Sequence, residues 1–224
     1  MNHWRWWLCA AAALGAAGLA AYAATEGVGE KGALAKPREK CGVDLLAAIK
    51  GRHSSRSFDT AKAIPDDVLA TVLWAADGVN RANGKHTAPT AMGIRHMRIY
   101  VCRADGAWRY DQDAHQLLPV SDQDLRARIG RQKFMADAQA ILVLTSDLAA
   151  FAEKAAKSET AMRREWSHCA AGAIAQNVYL AAEAFGLGTV IAAGVNADEA
   201  RKSLALKADE VPLYIMPLGY PKAE

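Results

Sequence analysis

The sequence predicts an α+β fold in which helices pack on a mostly antiparallel sheet. Strand-like and helix-like stretches are mixed without regular strand-helix alternation, which argues against a parallel βαβ sheet. Two β-branched and aromatic runs, Met97–Arg103 and Ala107–Asp111, flank Asp105-Gly106, a dipeptide that turns tightly between paired strands. Ala140–Thr145 is a continuous apolar run, which suits a buried strand. The 224 residues are 52% hydrophobic and 23% charged, which excludes a disordered or fibrous chain. Lys+Arg 27 against Asp+Glu 24 leaves a charge of +3, too small and too scattered for a nucleic-acid footprint. A small molecule is the expected partner.

The elements follow in order. Met1–Leu8 carries Arg5 as its only formal side-chain charge, and Cys9–Ala21 is an unbroken run of Ala, Leu, Gly and Cys leading into Ala21-Tyr22-Ala23. A positive end, an apolar stretch and small residues at a cleavage point make residues 1–23 an expected signal peptide, cut after Ala23, and the protein secreted or periplasmic. The alternative is a retained membrane anchor, because residues 6–24 approach the ~20 needed to span a bilayer. No paired arginines precede the apolar run, which favours the general export route over the twin-arginine one. Residues 24–42, rich in Gly, Lys and Glu, read as a tether. Residues 43–224 read as one domain.

Within that domain, Val43–Lys50 carries an apolar stripe and stops at Gly51. Pro65-Asp66-Asp67 opens a second helix whose apolar face is Val68, Leu69, Val72, Leu73 and Ala76. Gly78–Met92 has neither helical nor strand period and reads as a loop of functional length. After the hairpin, His115–Val120 is expected as a third strand and Asp122–Gly130 as a short helix. Ala149–Phe185 reads as mostly helix, broken near Ser158 or Ser167, with Glu159 and Arg163 spaced for an ion pair. Its second half, from Cys169, is so rich in Ala and Gly that burial nearly all round is expected, in the core or between subunits. Leu187–Ala193 reads as a strand, Asp198–Leu204 as a helix and Val211–Leu218 as the last strand.

The residues most suggestive of chemistry are Arg52-His53-Ser54-Ser55-Arg56-Ser57-Phe58. If this backbone is extended, Arg52, Ser54 and Arg56 share a face, and two guanidinium forks beside a hydroxyl make a phosphate clamp. A solvated basic turn is the alternative. Cys41, Cys102 and Cys169 are an odd set once Cys9 is removed, and Cys102 and Cys169 read as buried thiols acting as small apolar residues. The six histidines include no pair at metal-ligand spacing, and no Gly-x-Ser-x-Gly elbow occurs.

The segment from Arg52 to Phe58 resembles the flavin-binding opening of the nitroreductase family. Ala63-Ile64-Pro65 with the helix ending in Ala75-Ala76, Gly172–Gly188, and Pro212–Pro221 are similar to that family's motifs and occur in its order. Leu73–Val79, Thr87–Gly93 and Asp105–Asp111 resemble the SagB-type thiazole/oxazole-forming peptide dehydrogenase branch. The resemblance implies an FMN-dependent oxidoreductase acting as a homodimer, with FMN sites at the interface. It places Arg52, His53, Ser54 and Arg56 at the phosphate or the ring's polar edge, Thr90 from the facing subunit, Gly93 beside the ring, Ala193 and Gly194 at N5, and Lys222 near the phosphate. Gly93 stands where many members have Asn, Ala193 where Glu is usual, and the Lys-Tyr pair of the peptide dehydrogenases is absent, Lys133 being followed by Phe134. An exported member implies an electron donor other than nicotinamide; a non-catalytic flavin-binding or dimeric scaffold is the other reading.

Overall fold

A computed structural model describes residues 32–222, so the expected signal peptide, the membrane-anchor alternative and most of the tether lie outside the described residues. The sheet grows from the hairpin: β1 (Met97–Arg103), β2 (Gly106–Asp111) and β3 (Gln116–Ser121) form a meander, with Gly106 at φ 143 making the first turn. β4 (Ala140–Asp147) then lies beside β1, and β6 (Glu210–Gly219) beside β4. The two-residue β5 (Gly188–Thr189) closes the edge. The order is β3-β2-β1-β4-β6-β5 and every pair is antiparallel.

All eight residues of β4 are buried, because helices cover both faces of the sheet centre and neither side chain set meets water. On one face Ile99, Val101, Leu142, Leu144, Met216 and Leu218 pack against two helices. These are α2 (Asp66–Asp77), which buries the five apolar residues expected of it, and α4 (Thr160–Ala184). On the other face Tyr100, Cys102, Ile141, Val143 and Ile215 pack against α3 (Arg126–Ile129) and α5 (Ala197–Ser203). Burying a large apolar side chain stabilises by roughly 1.5–3 kcal/mol, so these two layers outweigh the exposed ion pairs at the surface.

Several expectations are corrected. The helix expected from Ala149 begins only at Thr160: Leu148–Ala152 is a 3₁₀ turn, and the chain bends before the long helix. Arg163 does not pair with Glu159; its guanidinium turns back onto Ser158 Oγ and the carbonyls of Ala155 and Ala156, acceptors that the bend brings within reach. In a single chain α4 is buried on one face only, through Ala170, Ala171, Ile174, Val178, Tyr179 and Ala182. Cys169, Gly172 and Gln176 on its other face are exposed, so Cys169 is not the buried thiol expected, whereas Cys102 is. Only Gly188 and Thr189 of the expected 187–193 strand pair continuously, with an isolated bridge at Ala192. Part of the stretch read as a tether packs: Leu34 lies against the core, and Arg38 bonds Thr71 through its backbone and Asp67 through its side chain.

Candidate functional site

Asp44 caps the helix α1 (Leu45–Gly51), its carboxylate accepting from the N–H groups of Leu46 and Ala47 at 2.9 and 3.0 Å. The chain leaves α1 at Arg52 in an extended conformation. Ser54 then bridges Thr189 of β5 in parallel, with Ser55 N–H donating to the Thr189 carbonyl at 2.9 Å, and Phe58 bridges Pro221. This fastening turns Ser55 inward and leaves Ser54 and Arg56 exposed. Gly188 permits the approach, since a Cβ there would stand 2.6 Å from the Ser55 Cβ.

Tyr179 of α4 organises this ground. Its ring lies under the Arg52 guanidinium at 4.9 Å, and its hydroxyl meets Ser54 Oγ at 3.1 Å while accepting from Ile191 N–H at 3.0 Å. One phenol thus ties the basic segment to the loop that continues into Ala193 and Gly194. That loop is held further on by the Gly130–Val195 bridge and by Arg131 N–H donating to the Gly194 carbonyl at 2.9 Å. The Gln132 side chain fills the space where a Gly194 Cβ would stand. His53 is exposed; its Nδ1–H donates to the Gly51 carbonyl at 3.0 Å and its Nε2 lies 3.3 Å from Ser55 Oγ. Lys222 is exposed, and its backbone N–H donates to the Ser57 carbonyl at 3.2 Å.

The chain therefore gathers Arg52, His53, Ser54, Arg56 and Lys222 along one extended track, with Ala193 and Gly194 on the loop tied to it. Among the described residues, neither Arg52 nor Arg56 forms an ion pair with a carboxylate. Thr90 and Gly93 are not in this group. They line a separate cleft of about 800 Å³ with Met92, His86, Arg95 and Asp77, on a turn where Met92 and Gly93 both take positive φ, 53 and 66. Tyr179 and Gln132 escaped the sequence reading. An isolated tyrosine in an alanine-rich helix is a faint signal for the first, and nothing local marks the second.

Comparison with known proteins assigns the class. A crystal structure from Ralstonia eutropha whose name places it among the nitroreductases matches with a TM-score of 0.78 and 32% identity, covering 85% of this chain and 89% of its own. The architecture is thus the nitroreductase-like α+β fold. The crystal structure of NADPH:FMN oxidoreductase from Vibrio harveyi, complexed with NAD+, shares that fold at a TM-score of 0.60 and 22% identity, over 80% of this chain and 69% of that one. The model of the nitroreductase family matches residues 49–220. A Methanocaldococcus jannaschii protein also named among the nitroreductases is 31% identical over 161 residues, 67% of this chain and 78% of its own. The chain belongs to the nitroreductase family, and with it to the oxidoreductases.

Proposed function

We propose that the protein is an exported FMN-dependent oxidoreductase that moves hydride or electrons between a donor and a small organic acceptor. In this reading it works as a homodimer, with the flavin held between the Arg52–Arg56 track of one subunit and the Thr90–Gly93 turn of the other. One observation carries the reading: two guanidinium groups without carboxylate partners among the described residues sit on a segment that Tyr179 ties to the Ala193–Gly194 loop. The phosphate of FMN, with about two negative charges, is the partner such a pair lacks.

Bound there, FMN supplies the hydride chemistry, and the protein positions it and shapes its surroundings. Arg52, Arg56 and Lys222 hold the anionic end. The backbone N–H of Gly194 is offered toward the ring, and Gln132 beneath Gly194 fixes how far that loop can retreat. The Thr90 hydroxyl closes the site from the facing subunit. We place the chain with the SagB-type branch on its sequence resemblance, but without the Lys-Tyr pair the substrate proposed is a small organic molecule rather than a peptide azoline. The donor proposed in place of nicotinamide is a membrane or protein partner, or else an exported organic substrate that gives its hydride to the flavin. Gly93 and Ala193, which stand where Asn and Glu are usual, are the observation that favours the second reading, a flavin-binding scaffold without turnover.

The test is the absorbance spectrum of the purified protein and of Arg52→Ala and Arg56→Ala. Each guanidinium bond to phosphate contributes roughly 1.5–3 kcal/mol, so each variant should hold FMN about 10- to 100-fold more weakly. Unchanged flavin content in both would remove the clamp. Bound flavin that dithionite bleaches and no acceptor reoxidises would favour the scaffold.

A further inference from the structure

The sheet carries a second polar cavity, on the face that packs against α3 and α5 and away from the Arg52–Arg56 track. It has a volume of about 410 Å³ and is lined by Arg98 and Tyr100 of β1, Arg109 of β2, Lys207 after α5 and Glu210 at the start of β6. Pro119, Val120, Leu204 and Ala205 form its apolar walls. Tyr100 and Arg109 stand opposite each other across the β1–β2 pair, and Arg98, two residues before Tyr100, shares its face of the sheet. The register of the β1–β2 pair therefore brings Arg98 and Arg109 to one hollow, and Lys207 joins them from the segment after α5.

Those cations lack a close carboxylate partner among the described residues, and Arg98 Nη1 donates instead to the Arg95 and Met97 carbonyls at 2.9 and 3.0 Å. Among the described residues the half-buried Arg109 guanidinium has neither a hydrogen-bond acceptor nor an ion-pair partner. Arg98 Nη2 and Lys207 Nζ both reach toward one oxygen, Asp147 Oδ2, at 3.6 and 3.7 Å, beyond hydrogen-bonding distance. The one carboxylate lining the cavity, Glu210, is 3% exposed and already accepts the Thr145 hydroxyl at 2.5 Å. Burial and the neighbouring Glu210 hold the Tyr100 phenol well above its ordinary range, so its O–H stays protonated as a donor. A cavity of this size with convergent cations and apolar walls has the make-up of a small-molecule site.

We propose that this cavity is a second binding site, separate from the flavin track, for a small organic oxyanion bearing a phosphate or carboxylate group. Arg109 is its principal anchor, Arg98 and Lys207 flank the anionic end, and Pro119, Val120 and Leu204 receive the organic body. The site shares no residue with the Arg52–Arg56 track or with the Thr90–Gly93 cleft. Its occupancy does not depend on the flavin reading.

Isothermal titration of the full chain carrying Arg52→Ala and Arg56→Ala, at fixed ionic strength, removes the track as a competing anion site. Inorganic phosphate and succinate serve as probes. Saturable heat with one site per chain is expected for at least one of them; phosphate alone identifies a phosphoryl ligand, succinate alone a carboxylate. Arg109→Gln in that background should weaken binding at least tenfold. Lys207→Gln, at a side chain 75% exposed and safe for folding, should weaken it severalfold. Dilution heat only with both probes, or affinity unchanged in both variants, overturns the site.

Discussion

Two buried groups give the protein opposing responses to acid. His96 is fully buried, and Ser167 Oγ donates to the Arg163 carbonyl at 2.7 Å, so Ser146 must donate to Ser167 and His96 Nδ1–H must donate to Ser146 at 3.0 Å. Its Nε2 has no hydrogen-bond partner among the described residues, and burial pushes the imidazole down to about 4. The unfolded chain takes up this proton near pH 6.5 and the native one does not, so stability is lost as pH falls from about 6.5 to 4. Asp77 behaves in the reverse sense. It is buried, Gln112 Nε2 donates to its Oδ2 at 2.6 Å, its Oδ1 has no hydrogen bond among the described residues although His86 Nδ1 lies 3.4 Å away, and burial pushes it up to about 6. Its native carboxyl keeps a proton that the unfolded chain releases near pH 4, so stability is lost as pH rises from about 4 to 6. Each effect is about 3 kcal/mol, and between pH 4 and 6 they oppose. Urea unfolding should therefore show Asp77→Asn losing more stability than the parent as pH falls through this window, and His96→Asn losing more as pH rises. Parallel profiles for parent and variants would refute both assignments.

At the scale of elements, the close seating of the extended track on β5 rests on Gly188. A methyl group there meets Ser55 Cβ at 2.6 Å, a contact no rotamer relieves. Gly188→Ala should cost about 1–3 kcal/mol in chemical denaturation and loosen the track, whereas Gly194→Ala meets only the movable end of Gln132 and should cost less. Full stability in Gly188→Ala would mean the track is not held as described. Most elements were legible in the sequence because their signals are local: the Asp105-Gly106 turn, the apolar run of β4, the proline and paired aspartates that open α2. What was not legible depends on partners distant in the chain. β5 has two residues because its pairing is set by β6 and by Ser54, and Arg163 abandons Glu159 for carbonyls that exist only once the preceding bend forms. Within the candidate site the basic track was readable from its own residue types, but Tyr179, which orders it from 125 residues away, was not.

For the whole molecule, the apolar surface is the informative quantity. Leu45, Leu46 and Ile49 on α1 are 63%, 75% and 48% exposed, and an open, mostly apolar cleft between α1, α2 and α4 takes in Trp74, Leu180 and Ala184. Together with the uncovered small-residue side of α4, this exceeds what a lone chain leaves to water without cause. A two-fold dimer burying α1 and α4 is the expected state. Leu46→Glu should convert it to monomer in light scattering and release flavin in parallel, because the turn bearing Thr90 would leave with the other subunit. A monomeric parent protein would end that account.

The position of β6 has a temporal consequence. β6 is interior, between β4 and β5, and the residues just after it bridge Phe58 and bond Ser57. Neither the sheet nor the seat beneath the arginines is complete until β6 has paired on both sides. The grip of the track is therefore a late product of folding, in place only once segments from distant parts of the sequence have met.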